Sequence, residues 1–221
     1  MLKTILAFDT SMSVCSISLL HKNRKYNIQK ECRNNHTLYL LPMIHEILKK
    51  NHVSLNEINI IATSKGPGSF SGVRIALAVA QGISLGLNLP HVISLSTILI
   101  MAEQVWNNHK ISKVLAIITV NKTSVYWIQY SRNFHGLWIK KSKAIILNLS
   151  KALEKILSLK KQWALVGNGW DKFPKNILKK IFITNITFPN SKYIISLISA
   201  NSIYQKKEVL HKIIPIYLNE R

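Results

Sequence analysis

Apolar residues alternate with polar ones, or form short runs, in several stretches of the chain, and these patterns predict strands. Residues 4–8 and 14–20 flank a polar loop and predict an amino-terminal hairpin. Residues 114–119 and 125–130 predict a second hairpin in the same way. Short runs rich in β-branched residues predict further strands at residues 58–63, 92–93, 163–166 and 213–218.

Other apolar positions repeat with the period of a helix. An apolar stripe predicts a helix over residues 35–50, and Pro42 in its middle is expected to kink or split it. Residues 71–87 predict a nearly apolar helix with Ser71 as N-cap. Further helices are predicted at residues 96–106, 150–159 and 193–204. Helices mixed with hairpin strands favour an α/β architecture with mixed sheets.

A polar stretch at residues 107–112 predicts a boundary between two lobes. We expect an amino-terminal lobe of residues 1–108 and a smaller carboxyl-terminal lobe of residues 109–221. The sequence shows neither a signal peptide nor an apolar run of membrane-spanning length, so we expect a soluble, cytoplasmic protein with no membrane partner. Cys15 and Cys32 match no disulfide framework or metal spacing, which favours reduced thiols.

The segment Lys65–Arg74, with the sequence KGPGSFSGVR, lies between a predicted strand and the helix at 71–87. A glycine-rich loop before a helix is typical of phosphate binding, because backbone N–H groups and the helix N-terminus favour an anion. The spacing matches neither the dinucleotide fingerprint, since the sixth residue from Gly66 is Ser71, nor the P-loop. We favour a tight turn that prepares close helix packing, and phosphate binding stays an alternative.

Small residues recur along the helix that follows this loop. Gly72, Ala76 and Ala80 are spaced by four, and Gly82 and Gly86 are spaced alike. An interior glycine costs a helix about 1 kcal/mol relative to alanine, so a close approach of another backbone is the simplest compensation. That backbone belongs either to a partner subunit or to the same chain, and the pattern does not decide between them.

The net charge of +21 points towards nucleic acid, because many cations near phosphates gain affinity by counterion release. Ile, Lys and Asn are abundant throughout, as in proteins of AT-rich genomes, and this offers a second explanation of the charge. The lysines are scattered, and no basic segment interleaved with aromatic residues is evident. A contact with tRNA therefore stays open at this point.

Several motifs occur in the order that is found in the TsaB (YeaZ) family, the tRNA threonylcarbamoyladenosine biosynthesis proteins. The chain resembles that family over almost its whole length, and the glycine segment with Arg74 is the most specific part. The motifs are Phe8–Ser11, Asn35–Thr37 before Leu41–Ile44, Gly66–Arg74, Val125–Trp127, Gly167–Gly169 and Pro215–Leu218. The resemblance implies an actin-like ATPase (ASKHA) fold with two lobes, mixed sheets and a degenerate nucleotide site.

The same resemblance implies a non-catalytic role, in which the protein binds a TsaD-type catalytic subunit and is joined by a TsaE-type ATPase. The complex transfers threonylcarbamoyl from its adenylate to the adenosine beside the tRNA anticodon. A homodimer is implied when the protein is alone. The early helix and the helix after the glycine segment form the interface in the family, which carries over to His36, Leu38, Leu41, Met43, Ile47, Gly72, Arg74, Ala76, Val79, Ala80, Ile83 and Gly86.

The residues themselves give little support for catalysis. Asp9, Thr10 and Ser11 could form a first phosphate loop, but residues 118–124 offer no carboxylate or glycine for a second one. Asp9 is therefore favoured as a loop-capping residue, and we expect no cofactor. His36 is followed at one helical turn by Leu40, so no histidine pair predicts a metal site. The alternatives are an actin-like ATPase or small-molecule kinase and, with less support, a metal-dependent peptidase.

Overall fold

The computed structural model describes residues 3–33, 35–142, 144–159, 163–174 and 182–216. The chain divides into two compact units. Residues 1–100 and 189–216 belong to the first, and residues 101–188 belong to the second. Helix α3, Thr97–His109, contains the point of division.

The first unit is built on a mixed sheet. Its described strands are β1 Ile5–Asp9, β2 Val14–His21, β3 Arg24–Glu31, β4 Ile60–Ser64, β5 His91–Leu95 and β12 Lys207–Val209. Their order in the sheet is β12-β5-β4-β1-β2-β3. Strands β1, β4 and β5 run parallel, while β2, β3 and β12 pair antiparallel with their neighbours.

Helices α1, His36–Lys50, and α2, Phe70–Gly86, cover one face of this sheet and contact each other. Their apolar stripes pack with Leu6, Phe8 and Ile17 in one buried core. Pro42 lies inside α1, which continues through it as one helix rather than splitting. The predicted α/β fold with a mixed sheet is confirmed.

The carboxyl-terminal segment of the chain returns to the first unit, which corrects the predicted boundary and the assignment of residues 109–221 to one lobe. Helix α5, Lys192–Ala200, packs against β1 and β2. The buried Ser191 hydroxyl lies 2.9 Å from Ser16 Oγ and 2.7 Å from Ser18 Oγ. Alternate residues of β2 point to opposite faces, so these serines face α5 while the apolar positions between them face α1 and α2.

The second unit contains another mixed sheet. Its described strands are β6 Lys113–Thr119, β7 Ser124–Arg132, β8 Trp138–Lys140, β9 Ile145–Asn148, β10 Ala164–Val166 and β11 Phe182–Ile183. Their order is β11-β10-β6-β7-β8, and β9 also pairs with β7. Helix α4, Leu149–Ser158, packs on β7 and β9 and buries Ala152 and Ile156 against the sheet.

Some elements differ from those that the sequence predicts. The predicted strand at 213–218 is wrong over residues 213–216, which adopt no regular structure, and residues 217 and 218 lie outside the described residues. The predicted helix at 193–204 ends at Ala200. A short 3-10 helix, Ser202–Gln205, follows it. The other 3-10 helices in the described chain are Leu55–Glu57, Trp170–Lys172 and Leu210–Lys212.

Candidate functional site

The glycine segment packs directly on the loop between β1 and β2, which contains Asp9, Thr10 and Ser11. The Ser69 backbone N–H donates to the Ser11 carbonyl oxygen at 2.7 Å. The Thr10 hydroxyl donates to the Gly72 carbonyl oxygen at 2.6 Å. The loop that could contact phosphate at the end of β1 is thus hydrogen-bonded to the glycine segment.

Glycine is required at two positions of this contact. A Cβ atom on Gly68 would lie 2.2 Å from the Ser11 carbonyl oxygen, and one on Gly72 would lie 2.1 Å from the Thr10 carbonyl oxygen. Both distances are far inside van der Waals contact, and the obstructing atoms belong to the backbone. This geometry confirms the prediction of a tight turn with close packing. The N-cap is Ser69, two residues before the predicted Ser71, and its hydroxyl accepts from the Gly72 N–H at 3.3 Å.

Asp9 is fully buried at the end of β1 and acts on its own loop. The Ser11 backbone N–H donates to Asp9 Oδ1 at 3.2 Å, and the Ser11 hydroxyl donates to Asp9 Oδ2 at 2.9 Å. Burial raises the pKa of Asp9 to about 6, although hydrogen bonds from neighbouring serines lower it in part. The prediction that Asp9 caps a loop is therefore confirmed.

The second unit has a comparable pair of turns. Asn121 Oδ1 accepts from the backbone N–H groups of Thr123 and Ser124, each at 2.9 Å. Asn168 Oδ1 accepts from the Thr119 N–H at 3.0 Å. A Cβ atom on Gly167 would lie 2.2 Å from the Ile117 carbonyl oxygen. Here too, side chains of the chain itself accept hydrogen bonds from the backbone N–H groups of the turns, and the packing around the glycine is close.

The structure divides the predicted interface residues of α1 into two groups. Leu38 and Leu41 are exposed. His36, Met43 and Ile47 are buried, and His36 Nε2 donates to the Met12 carbonyl oxygen at 2.6 Å. These three residues hold α1 on its own sheet, so the prediction that they contact a partner is corrected.

Helix α2 shows the same division. Gly72, Ala76 and Ala80 are buried towards the sheet and the Thr10 loop, so they are corrected as partner contacts as well. The remaining predicted residues of this helix are at least partly exposed, namely Arg74, Val79, Ile83 and Gly86.

The predicted interface residues omit most of an exposed stripe on the opposite side of α2, although the spacing of Gly82 and Gly86 already predicts a close approach of another backbone. The stripe contains Phe70, Ala78, Gly82 and Leu85, in addition to Arg74. A Cβ atom added at Gly82 or at Gly86 would meet nothing within 4 Å, so packing within the chain does not require either glycine. The helical period counted from Arg74 would have identified this stripe.

We call the exposed residues of α1 and α2 the helix-pair surface, defined by Leu38, Leu41, Phe70, Arg74, Gly82 and Leu85. Leu38 is 65% exposed, Phe70 is 69% exposed and Leu85 is 64% exposed. The Arg74 guanidinium stacks on the Phe70 ring, with 3.3 Å from its carbon to the ring centroid. Exposed apolar side chains on two neighbouring helices are typical of a protein interaction site.

The described residues contain no group of three or more His, Cys, Asp or Glu side chains that could hold a metal ion. Cys15 and Cys32 are free and buried. Among the helices that the structure describes, none combines the length and the apolar character that crossing a membrane requires.

Comparison with known proteins identifies relatives along most of the chain. Residues 23–202 match the model of the TsaD family, tRNA N6-adenosine threonylcarbamoyltransferase. The chain is 37% identical over 199 residues to a tRNA threonylcarbamoyladenosine biosynthesis protein TsaB of Buchnera aphidicola subsp. Schizaphis graminum, covering 90% of this chain and 94% of the relative. It is also 37% identical to TsaB of Escherichia coli, covering 77% and 73% of the two chains.

Solved structures agree with these sequence relatives. YeaZ from Pseudomonas aeruginosa superposes with a TM-score of 0.82 at 26% identity, and the match covers 97% of this chain and all of that one. The two-unit architecture and the TsaD-type match define an actin-like α/β protein, as predicted. Within that class, the chain belongs to the TsaB family of tRNA threonylcarbamoyladenosine biosynthesis proteins.

Proposed function

We propose that this protein is a non-catalytic subunit of a tRNA-modifying complex, in which it binds and supports a TsaD-type catalytic subunit. The complex transfers threonylcarbamoyl from its adenylate to N6 of the adenosine beside the anticodon, and a TsaE-type ATPase joins it. The observation that carries the proposal is the helix-pair surface, where apolar side chains and Gly82 are left uncovered by the chain's own packing.

The loops that could hold a nucleotide support the non-catalytic part of the proposal. The Ser69 N–H donates to Ser11, the Gly72 N–H donates to Ser69, and the Asp9 carboxylate accepts from Ser11. Donors and acceptors that could contact phosphate or its metal ion are thus used within the chain. We propose accordingly that the protein needs no cofactor of its own.

Burial also indicates how a partner would be contacted. The buried residues Gly72, Ala76 and Ala80 fix α2 on the sheet, and the exposed residues Gly82, Gly86 and Ala78 let another backbone come close. Exposed Leu38, Leu41 and Leu85 supply the apolar contact area. The same surface would pair two copies of this chain when the catalytic subunit is absent.

Reconstitution tests this proposal directly. Purified TsaD-type and TsaE-type proteins, threonylcarbamoyl-adenylate, ATP and unmodified tRNA are incubated with and without this chain, and modified adenosine is quantified after nuclease digestion. We expect the yield to fall strongly on omission. An unchanged yield would contradict the proposal.

The alternative of an actin-like ATPase or kinase is tested by titrating the isolated chain with Mg-ATP in a calorimeter. We expect no saturable binding, because the Asp9 and glycine loops are hydrogen-bonded to each other. Tight binding followed by hydrolysis would favour the alternative.

A further inference from the structure

The loop between β7 and β8, in the second unit, carries the most exposed large apolar side chain described in this chain. Phe134 is 92% exposed, and its ring centroid lies 4.0 Å from that of His135. The loop is closed by hydrogen bonds, since Asn133 and Leu137 are joined backbone to backbone at 2.9 Å and the Leu137 N–H donates to Asn133 Oδ1 at 2.8 Å. An aromatic ring is therefore presented to solvent on an ordered turn.

Cations lie around the base of this loop. The Arg132 guanidinium carbon lies 4.5 Å from the ring centroid of Trp106, and Lys110 Nζ lies 5.7 Å from the same centroid. A Cβ atom on Gly136, in the same loop, would lie 3.2 Å from Arg132 Nη2. Lys140 is exposed on β8, opposite Tyr130 of β7. We call Trp106, Lys110, Arg132, Phe134 and Lys140 the basic aromatic patch.

Carboxylates do not neutralise this patch in the part of the chain that is described. The ion pairs among the described residues are Arg33–Glu31, Lys50–Glu46 and Lys65–Glu208, and all three lie in the first unit. Glu103 of α3 is buried, and it accepts hydrogen bonds from Trp138 Nε1 and Asn107 Nδ2, each at 2.8 Å. In sequence, residues 101–188 hold fifteen Lys and Arg against three Asp and Glu.

An exposed aromatic ring, on a loop whose base carries cations with no ion pair among the described residues, is an arrangement that can recognise an unpaired nucleotide. A base stacks on the ring, which is possible for any base, while lysine and arginine contact the phosphates on either side. A duplex offers phosphates but no free base face, so the ring would add nothing to its binding. A protein partner would need to supply carboxylates as well as an apolar pocket.

We propose that the basic aromatic patch binds the single-stranded loop of an RNA, with a base stacked on Phe134 and phosphates on Lys110, Arg132 and Lys140. The inference rests on the proposed function in one respect, since it takes the RNA to be the tRNA that the complex modifies. It also assigns part of the +21 charge to a definite place, where the sequence shows only scattered lysines.

The test measures RNA binding by the isolated full chain, without any TsaD-type protein. Fluorescence anisotropy is recorded with a short hairpin RNA that has a single-stranded loop, and with the same stem closed as a blunt duplex. We expect Phe134→Ala to weaken hairpin binding by about fivefold or more, because stacking contributes about 1–3 kcal/mol per base. Duplex binding should be unchanged, and Phe134→Tyr should keep hairpin binding.

The matched control is Phe70→Ala, which removes another exposed phenylalanine, but from the helix-pair surface. It should change hairpin binding by less than about twofold. The Lys110→Ala and Lys140→Ala variants should weaken hairpin and duplex alike. Each should also lower the slope of log affinity against log salt by about 0.7–0.9.

Three results would overturn the inference: no RNA binding by the isolated chain, equal losses for Phe134→Ala on hairpin and duplex, or equal losses for Phe134→Ala and Phe70→Ala. Phe134→Ala that binds RNA normally but loses the TsaD-type protein would reassign the patch to a protein. Because no partner is present in the RNA experiment, its failure is distinct from failure of the reconstitution. Either proposal can therefore be contradicted without contradicting the other.

Discussion

The two sides of α2 carry similar small residues for different reasons. On the buried side, Gly72 lies against the Thr10 carbonyl oxygen, and any larger side chain there would meet backbone. On the exposed side, a Cβ atom at Gly82 would meet nothing in the chain. Small residues on a helix therefore indicate close packing only where a neighbour is present, and the exposed side lacks that neighbour within this chain.

The largest expected effect comes from filling the buried side. Gly72→Val would place a branched side chain on a carbonyl oxygen that belongs to backbone and cannot move aside, and we expect a loss of stability of about 3 kcal/mol or more. Chemical unfolding followed by circular dichroism measures it. Gly86→Ala is the control, since its site is open, and it should not destabilise the protein. Equal stability of the two variants would contradict the close contact between Gly72 and the Thr10 carbonyl oxygen.

The Asp9 loop beneath the buried side should give stability a distinctive dependence on pH. Because the pKa of Asp9 is about 6 in the folded chain and 3.8 in the unfolded chain, the folded state binds more protons between these values. The contribution of Asp9 to stability therefore falls as pH rises from about 4 to 6, and then stays level. The total change is about 3 kcal/mol, from 1.36 kcal/mol per pKa unit.

Comparing the native chain with Asp9→Asn across pH 4–8 isolates this contribution, since the amide does not titrate. We expect the free energy of unfolding of the native chain to fall relative to that of the variant as pH rises through this window. Parallel pH profiles would contradict the assignment. Glu154→Gln, at an exposed helical position of the second unit, is the control and should leave the native profile nearly unchanged.

The smallest expected effect is on the exposed side of α2. Gly82→Ala should stabilise the isolated chain by about 0.5–1 kcal/mol, because alanine restricts the unfolded backbone and no contact obstructs its methyl group. Thermal unfolding at low protein concentration measures the change. A destabilised variant would mean that a neighbour within the chain covers this position.

The sequence predicts most of the elements and the mixed sheet, because apolar periodicity is strong in the covered strands and helices. Strand β3 was missed because it is an edge strand with mostly exposed residues, and its apolar signal is weak. The return of α5 to the first unit could not be predicted, because its contacts join Ser191 to Ser16 and Ser18 across a long stretch of chain.

The sequence predicts features of the site that depend on neighbouring residues in the chain. It does not predict those that depend on how a helix is rotated against the sheet. The capping role of Asp9 depends on Ser11, which lies two residues further along the chain, so the local sequence is enough to predict it. Whether Ala76 or Ala78 faces the sheet depends on the rotation of α2, and in this almost wholly apolar helix Arg74 is the only charged residue from which to infer it. The sequence does not predict the basic aromatic patch that includes Phe134. Lys110 and Arg132 are far apart in sequence, and only the fold brings both close to Trp106.

The proposal that the exposed side of α2 binds the TsaD-type protein can be tested with one pair of variants. Leu85→Glu places a charge on the helix-pair surface, and Leu157→Glu places the same charge on α4 of the second unit; both leucines are 64% exposed. Complex formation with the TsaD-type protein is measured by light scattering after size exclusion. We expect Leu85→Glu to abolish the complex, Leu157→Glu to keep it, and both chains to unfold at similar temperatures. A complex that survives Leu85→Glu as well as it survives Leu157→Glu would contradict the proposal.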